Sequence, residues 1–430
     1  MPRRHWPAAA ISALAIPISL VVPTMTGSAH NSIGVSAVRT VTPRVVDIAG
    51  QSQAAPAFAA QPVPGQTWQG PVSADARAPD IQFAASSTQL LEMDEDHVAI
   101  FDRSATKHVP LISAATGTFF GVPPGWTVSD PRLAFDSANG RWFASAVAWF
   151  LNPPPNPPSF TSTVLVSVSQ TGDASQGWNV YQAATSANLL CDQPRLGLAS
   201  DKVVVVCDNR AATSSLPTSQ FAGEVASVLN AADMVAGNPA REVSVDLGGR
   251  FGVVPALSLG PTSAEYLAYN DADPFALVQD QAGPTLGVLT MTGVPGGPPV
   301  QFSESHPAAA PTNAPPGAVQ KGAAKLVDTG DDRLQNAIWQ NGALWTAGND
   351  ACVPAGDTAL RSCLHLIQVS TGGAAPAITQ SFDFGQAQAY AYFPALAVDA
   401  QGDLFCLYNT SSAAQYIGIR LASQAAGGPT

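Results

Sequence analysis

Three aspartates sit beside three arginines at the heads of three similar segments of this 430-residue chain: Asp130 with Arg132, Asp192 with Arg195, and Asp332 with Arg333. Guanidinium groups converging from several strands can hold a carboxylate or phosphate bidentately. The same spacing also lets each arginine pair with its own aspartate, which cancels the charge an anionic ligand needs and pins neighbouring segments instead. Other chemistries are marked less sharply. There is no G-x-S-x-G elbow, H-E-x-x-H, P-loop or EF-hand loop. His97, His108, His306 and His365 are scattered singly and read as surface or core histidines. Met93-Asp94-Glu95-Asp96 could touch a calcium ion, but an acidic hairpin turn is the simpler reading. No metal and no cofactor is expected.

The elements that must position these residues follow from a repeat. A turn residue, usually Pro, opens an alternating apolar run, then comes a short polar turn and a second run. The unit appears as PDIQFAASSTQLLEM from Pro79, DPRLAFDSANGRWFAS from Asp130 and QPRLGLASDKVVVVC from Gln193. It returns as VPALSLGPTSAEYLAY from Val254, RLQNAIWQNGALWTA from Arg333 and FPALAVDAQGDLFCLY from Phe393. Period-2 alternation makes strands with one buried face. Turns such as Ser137-Ala138-Asn139-Gly140 carry residues that accept positive φ. A third strand follows each hairpin, and a fourth follows in five copies, at His108–Ile112, Trp178–Tyr181, Val243–Leu247, Val300–Phe302 and Ile378–Phe382. About six four-stranded units in succession predict an all-β fold, a β-propeller, over residues 79–430. A β-sandwich would not explain six similar hairpins. The last unit stops after its third strand, and Val35–Val46 is expected to supply its missing outer strand and close the ring.

Only 12 % of the residues are charged, and the formal net charge is −12, so a phosphate backbone is repelled and nucleic acid is not an expected partner. Arg3 and Arg4 followed by the uncharged stretch Ala8–Val22 read as a secretory signal, with Gly27 and Ala29 before a cleavage site. The stretch is too short for a membrane span. Residues 1–29 are thus expected to be removed, residues 30–78 to form a low-complexity arm, and the mature chain to be secreted or extracellular. In an oxidising compartment the cysteines favour disulfides. Cys352 with Cys363 is the leading pair, Cys191 with Cys207 the second, and Cys406 is left as a buried small hydrophobe. The chain has no C-x2-C or H-x3-H spacing that would mark a zinc site.

Several pieces are similar to uncharacterised secreted bacterial β-propellers, distantly sialidase-like, of the Asp-box (BNR) group. They are Asp130–Asp136 with Gly140–Phe143, Val166–Asp173 leading to Gly177-Trp178, Gly330–Leu334 with Gly342–Trp345, and Tyr392–Asp399. The resemblance spans about residues 79–425. It implies a propeller, and an arginine triad holding the carboxylate of an acidic sugar, for which Arg132, Arg195 and Arg333 are the candidates. It also implies a tyrosine nucleophile assisted by a glutamate. The one Glu beside a Tyr in an inner-strand position is Glu265, next to Tyr266, while Tyr390 and Tyr392 precede the sixth inner strand. The Asp-box turns at Ser169–Trp178 and Ser137–Trp142 are stretched and shortened forms, and both read as structural. The function expected is a secreted binding or scaffold protein without catalysis that contacts carbohydrate or a surface polymer. A sialidase-like glycoside hydrolase is the alternative.

Overall fold

The computed structural model describes residues 32–48, 80–104, 109–152, 159–183, 185, 187–212, 219–270 and 286–428. The expected signal segment, most of the 30–78 arm, His108 and the centre of the proline loop at 152–160 lie outside these residues.

Three short strands come first: β1 (Gly34–Val35), β2 (Arg39–Val41) and β3 (Arg44–Val46). Six consecutive antiparallel segments follow. Segment one holds β4 (Gln82–Ala85), β5 (Gln89–Met93), β6 (His97–Asp102) and β7 (Ile112–Ala115). Segment two holds β8 (Thr127–Asp136), β9 (Arg141–Asn152), β10 (Ser159–Ser169) and β11 (Trp178–Ala183). Segment three holds β12 (Leu189–Leu198), β13 (Lys202–Ala212), β14 (Ser219–Asn230) and β15 (Ala240–Gly248). Segment four holds β16 (Val254–Ser258), β17 (Glu265–Asn270), β18 (Leu286–Thr292) and β19 (Gln301–Ser305). Segment five holds β20 (Leu334–Gln340), β21 (Ala343–Cys352), β22 (Arg361–Ser370) and β23 (Ala377–Phe384). Segment six holds β24 (Tyr390–Val398), β25 (Leu404–Ser412) and β26 (Gln415–Gln424). The fold is therefore nearly all-β. The fourth strand of segment one starts later than expected, because Pro110 has no N–H to give to a ladder.

Within each segment the strands pair with their sequence neighbours, and first strands of successive segments lie side by side. Between β12, β16 and β20 this contact includes parallel pairing. Because side chains alternate between the faces of a strand, each sheet offers one face to the segment before it and one to the segment after. The core accordingly lies between sheets. Trp142, Trp178 and Phe119 fill the space between segments one and two, and Val203, Val205 and Leu229 pack against Val164 and Val166 between two and three. Three further apolar layers join segments three to six in order. Among the described residues no strand pairing joins segment six to segment one. The outer face of segment six leaves Phe393, Leu407, Ile419 and Leu421 exposed.

The N-terminal strands do not complete segment six as the sequence suggested. Strands β1 and β2 add to the outer edge of β15, and β3 adds to the outer edge of β11. The reason is local. These edges offer unpaired backbone groups, Arg39 forms an ion pair with the buried Glu242, and Val41, Val46 and Ile48 drop into the adjacent apolar layers. Disulfides Cys191–Cys207 and Cys352–Cys363 each tie two adjacent strands. Cys406 is free and buried, and burial pushes its thiol up to about 12. No helix among the described residues is long and apolar enough to cross a membrane.

Candidate ligand site at the heads of the first strands

A repeated backbone device aims the candidate residues. Asp130, Gln193 and Phe393 adopt positive φ values of 53°, 47° and 55°, and each is followed by a proline. The ladder slips at the same three places, between Ser129 and Arg132, Asp192 and Arg195, and Tyr392 and Ala395. Proline removes a ladder donor, so a bulge there loses little. A non-glycine residue at positive φ is strained, which the surrounding sheet must overcome. The bulge turns the next side chain, Arg132 in β8 and Arg195 in β12, off the regular alternation.

Arg195 is buried and forms a two-pronged pair with Asp208 of β13, at 2.8 and 3.2 Å, with Glu224 of β14 at 3.7 Å. Arg333 grips Asp331 with Nε at 2.7 Å and Nη2 at 2.6 Å, and its Nη1 reaches Asp208 at 3.1 Å. Its guanidinium lies 4.3 Å from the centre of the Phe251 ring. The neighbouring Gly252, at φ 66°, leaves this room, since a Cβ there would stand 3.0 Å from Arg333 Cβ. Asp208 is thus clamped between two arginines. Burial alone would raise its carboxyl, but Arg195, hydrogen bonds from its neighbours and Arg333 hold it well below the usual range. Burial and the adjacent Asp208 push Glu224 well above its usual range, leaving it the protonated partner.

Arg132 differs. It is half-buried, and among the described residues its one hydrogen bond goes to the Pro131 carbonyl, 2.8 Å away. Burial lowers its guanidinium from the ordinary value, against the pull of Asp130 and Asp80, and the charge of Arg195 adds to the lowering. Burial and the nearby Asp80 raise the Asp130 carboxyl, with Arg132 opposing. Asp192 is also raised, by burial and by Asp130, although Arg210 donates to it at 2.6 Å. Asp332 points elsewhere: its Oδ2 accepts from Thr312 at 2.9 Å and from Asn270 at 3.0 Å, and burial lifts it to about 6.

The structure therefore brings Arg132, Arg195, Arg333, Asp130 and Asp192 into one electrostatic cluster and leaves Asp332 outside it. Neither Arg195 nor Arg333 takes the aspartate that the sequence spacing suggested. The partners that sequence reasoning missed, Asp208, Arg210 and Glu224, lie on the second and third strands. The one local signal was the polar Asp208-Asn209-Arg210 directly after the apolar run Val203–Cys207.

Other candidates resolve as structure. Glu265 is fully buried on one face of β17, while Tyr266 stacks on Trp339, with ring centres 6.0 Å apart, from the other. Tyr392 is buried and its hydroxyl lies 3.2 Å from Ser411 Oγ, and Tyr390 accepts from Arg361 at 3.0 Å. Asp94 caps its own turn by accepting from Asp96 N and His97 N. In the Ser169–Trp178 turn, Asp173 accepts from Ser175 N and from Gln89 Nε2, and Gln89 Oε1 accepts from Ala174 N, which staples segment two to segment one. In the Ser137–Trp142 turn, Trp142 N donates to Ser169 Oγ.

No protein-family profile matches this chain, and no curated protein does. Several solved structures share its outline at low identity. The subtype N10 neuraminidase-like protein of A/little yellow-shouldered bat/Guatemala/060/2010 is 11 % identical, over 80 % of this chain and 93 % of that one, with a TM-score of 0.41. Trypanosoma rangeli sialidase, solved with sialic acid, is 10 % identical over 79 % of this chain and 53 % of its own, with a TM-score of 0.35. A Thermus protein described as an oxidoreductase (glucose dehydrogenase) is 9 % identical over 88 % of this chain and all of its own, with a TM-score of 0.34. Likenesses this distant assign no activity to the chain, which leaves its own side chains to carry the functional reading.

Proposed function

We propose that this chain is an exported six-bladed β-propeller that binds a hydroxyl-rich, uncharged glycan or surface polymer at one mouth of its central channel, without catalysis. Each antiparallel segment is one blade, with its first strand innermost. Two disulfides and the apolar N-terminal stretch support export. The observation that carries the binding reading is Arg132: a guanidinium at the strand heads that, among the described residues, donates only to the Pro131 carbonyl and is flanked by Asp130 and Asp80. Donors beside acceptors suit vicinal hydroxyls, each of which gives and takes a hydrogen bond. The flanking carboxylates disfavour an anion. A sialidase-like reaction is supported less, because Asp208 and Asp331 already neutralise two of its three expected arginines.

Glycan-array binding followed by calorimetry tests the reading. The wild-type chain is expected to retain neutral glycans over sialylated or uronic ones. Arg132→Ala should weaken binding at least tenfold with an unchanged circular-dichroism spectrum, since each lost charged hydrogen bond is worth about 1.5–3 kcal/mol. Binding untouched by that substitution would remove the site. Turnover of a fluorogenic sialoside that disappears in Arg132→Ala would overturn the non-catalytic reading.

A further inference from the structure

We propose that Asp350, His365 and Asp383 form a binding site for one divalent transition-metal ion of the zinc or manganese class, on the face of segment five turned toward segment four. The three come from three adjacent strands, β21, β22 and β23. Asp350 lies opposite Cys363, two residues before His365, and His365 lies opposite Asp383, so all three side chains share one face. Ile367 and Val369 of the same face pack into the apolar layer against segment four. One oxygen from each aspartate and one ring nitrogen of His365 lie within 4.8 Å of one another. Two carboxylates and an imidazole suit a borderline cation and leave further coordination positions to water.

Details of the surroundings fit ligands better than a surface ion pair. Asp350 is 4 % exposed and His365 2 %. Asp350 Oδ1 accepts from the backbone N–H groups of Asn313 and Ala351, both at 2.7 Å, which fixes the carboxyl plane. Its Oδ2 accepts no hydrogen bond among the described residues, which leaves that oxygen to a ligand beside the histidine. His365 Nδ1 lies 2.6 Å from Asp383 Oδ1, and its Nε2 lies 3.1 Å from Ser381 Oγ. In the metal-free chain Nδ1–H donates to Asp383 Oδ1; a bound cation would displace that proton to solvent and take the Nδ1 lone pair, while Nε2–H donates to the serine hydroxyl, the outer contact that orients ligating histidines. The Cys352–Cys363 disulfide holds β21 to β22 on this same face. Gly385 lets β23 pass close by, since a Cβ there would meet Cys363 Sγ at 2.7 Å. The Asp383 side chain, 38 % exposed, provides the entry path.

The test uses the full mature chain, stripped with chelator and titrated with Zn2+ and with Mn2+ against a chromophoric chelator. One equivalent of at least one of the two ions is expected. His365→Ala and Asp350→Asn should each weaken that ion at least 100-fold. Ser381→Ala should weaken it by about 10–100-fold through loss of the orienting contact. Asp328→Asn, remote from the cluster in sequence and exposed, should change nothing. Asp383→Asn, on the exposed outer strand, keeps the test open if the buried variants do not fold, and should cost at least tenfold. Failure of the folded wild-type chain to take up either ion, or affinity retained in His365→Ala or in Asp383→Asn, overturns the proposal. So does metal-independent labelling of Ser381 by a fluorophosphonate, which would mark Ser381, His365 and Asp383 as a nucleophile, general base and orienting carboxylate instead.

Discussion

Asp208→Ala is expected to cost about 3–5 kcal/mol, the range for removing one partner from a buried charge network. The carboxylate it deletes is fully buried and holds Arg195 by two contacts and Arg333 by a third. Without it, Arg195 faces a protonated Glu224 at 3.7 Å and has no formal counter-charge in contact. Glu224 can ionise in response, so the low end of the range is the more reasonable expectation. The pH dependence should change with it. Because the Asp208 pKa is depressed in the folded state, its contribution is present above the unfolded value of about 3.9 and is lost as pH falls through the lower folded one. Glu224 acts in the opposite sense, costing stability as pH rises from its unfolded value of about 4.3 toward a higher folded one. Wild-type protein should thus weaken more steeply below pH 4 than the variant. Urea midpoints at pH 3, 5 and 7 read both effects. A loss under about 1 kcal/mol at pH 7 would mean that the two guanidiniums are solvated and free for an anion, and would reopen the arginine-triad reading.

The second large effect is expected at Trp178. The ring is fully buried, lies 4.9 Å from Phe119 edge to face, and donates from Nε1 to the Ala174 carbonyl at 2.9 Å. It begins β11 and closes the Ser169–Trp178 turn, so it joins the apolar layer between segments one and two to the turn that Gln89 staples. Trp178→Ala should cost about 3–5 kcal/mol, as for other large-to-small changes in a packed core. Trp178→Phe keeps most of the packing and loses the hydrogen bond, which should limit the cost to roughly half. Equal losses in the two variants would show that the indole N–H, rather than the ring volume, holds the turn. Loss of less than about 1 kcal/mol in Trp178→Ala would show that the layer can close over the gap.

Period-2 alternation made strands legible where a sheet turns one face to water, as in β24, whose residues alternate between buried and exposed from Tyr392 to Ala397. Runs such as Val203–Val206, buried on both faces, were legible as strands by their β-branched residues. The heads of the first strands were legible through the prolines after Asp130, Gln193 and Phe393. The arginine partners were not. Sequence neighbours on a strand point to opposite faces, so Arg195 could be matched only across strands, and a two-residue bulge changes which residue lies opposite. The docking of β1, β2 and β3 was hidden for another reason. Every segment ends in an open strand edge, and short apolar strands carry no mark of which edge they will meet. The Asp350, His365 and Asp383 cluster was invisible because its members lie 15 and 18 residues apart, and only the register of three strands assembles them.

The serial arrangement of the apolar layers has a consequence for how the molecule opens. A segment in the middle of the row is bonded by packing on both sides, so freeing it means breaking two layers at once. Segment six, among the described residues, shares a layer only with segment five and turns Leu407, Ile419 and Leu421 to water. In a nearest-neighbour array of this kind, the two end units, segments one and six, each with a single shared layer among the described residues, have the lowest local unfolding free energies. Amide hydrogens along β25 should therefore exchange through detachment of that one sheet, while those of β13 wait for the whole row to come apart. The protein would lose its end sheets long before the cluster around Asp208 was disturbed, so a glycan held at Arg132 would keep its guanidinium on segment two while the flanking Asp80 leaves with segment one.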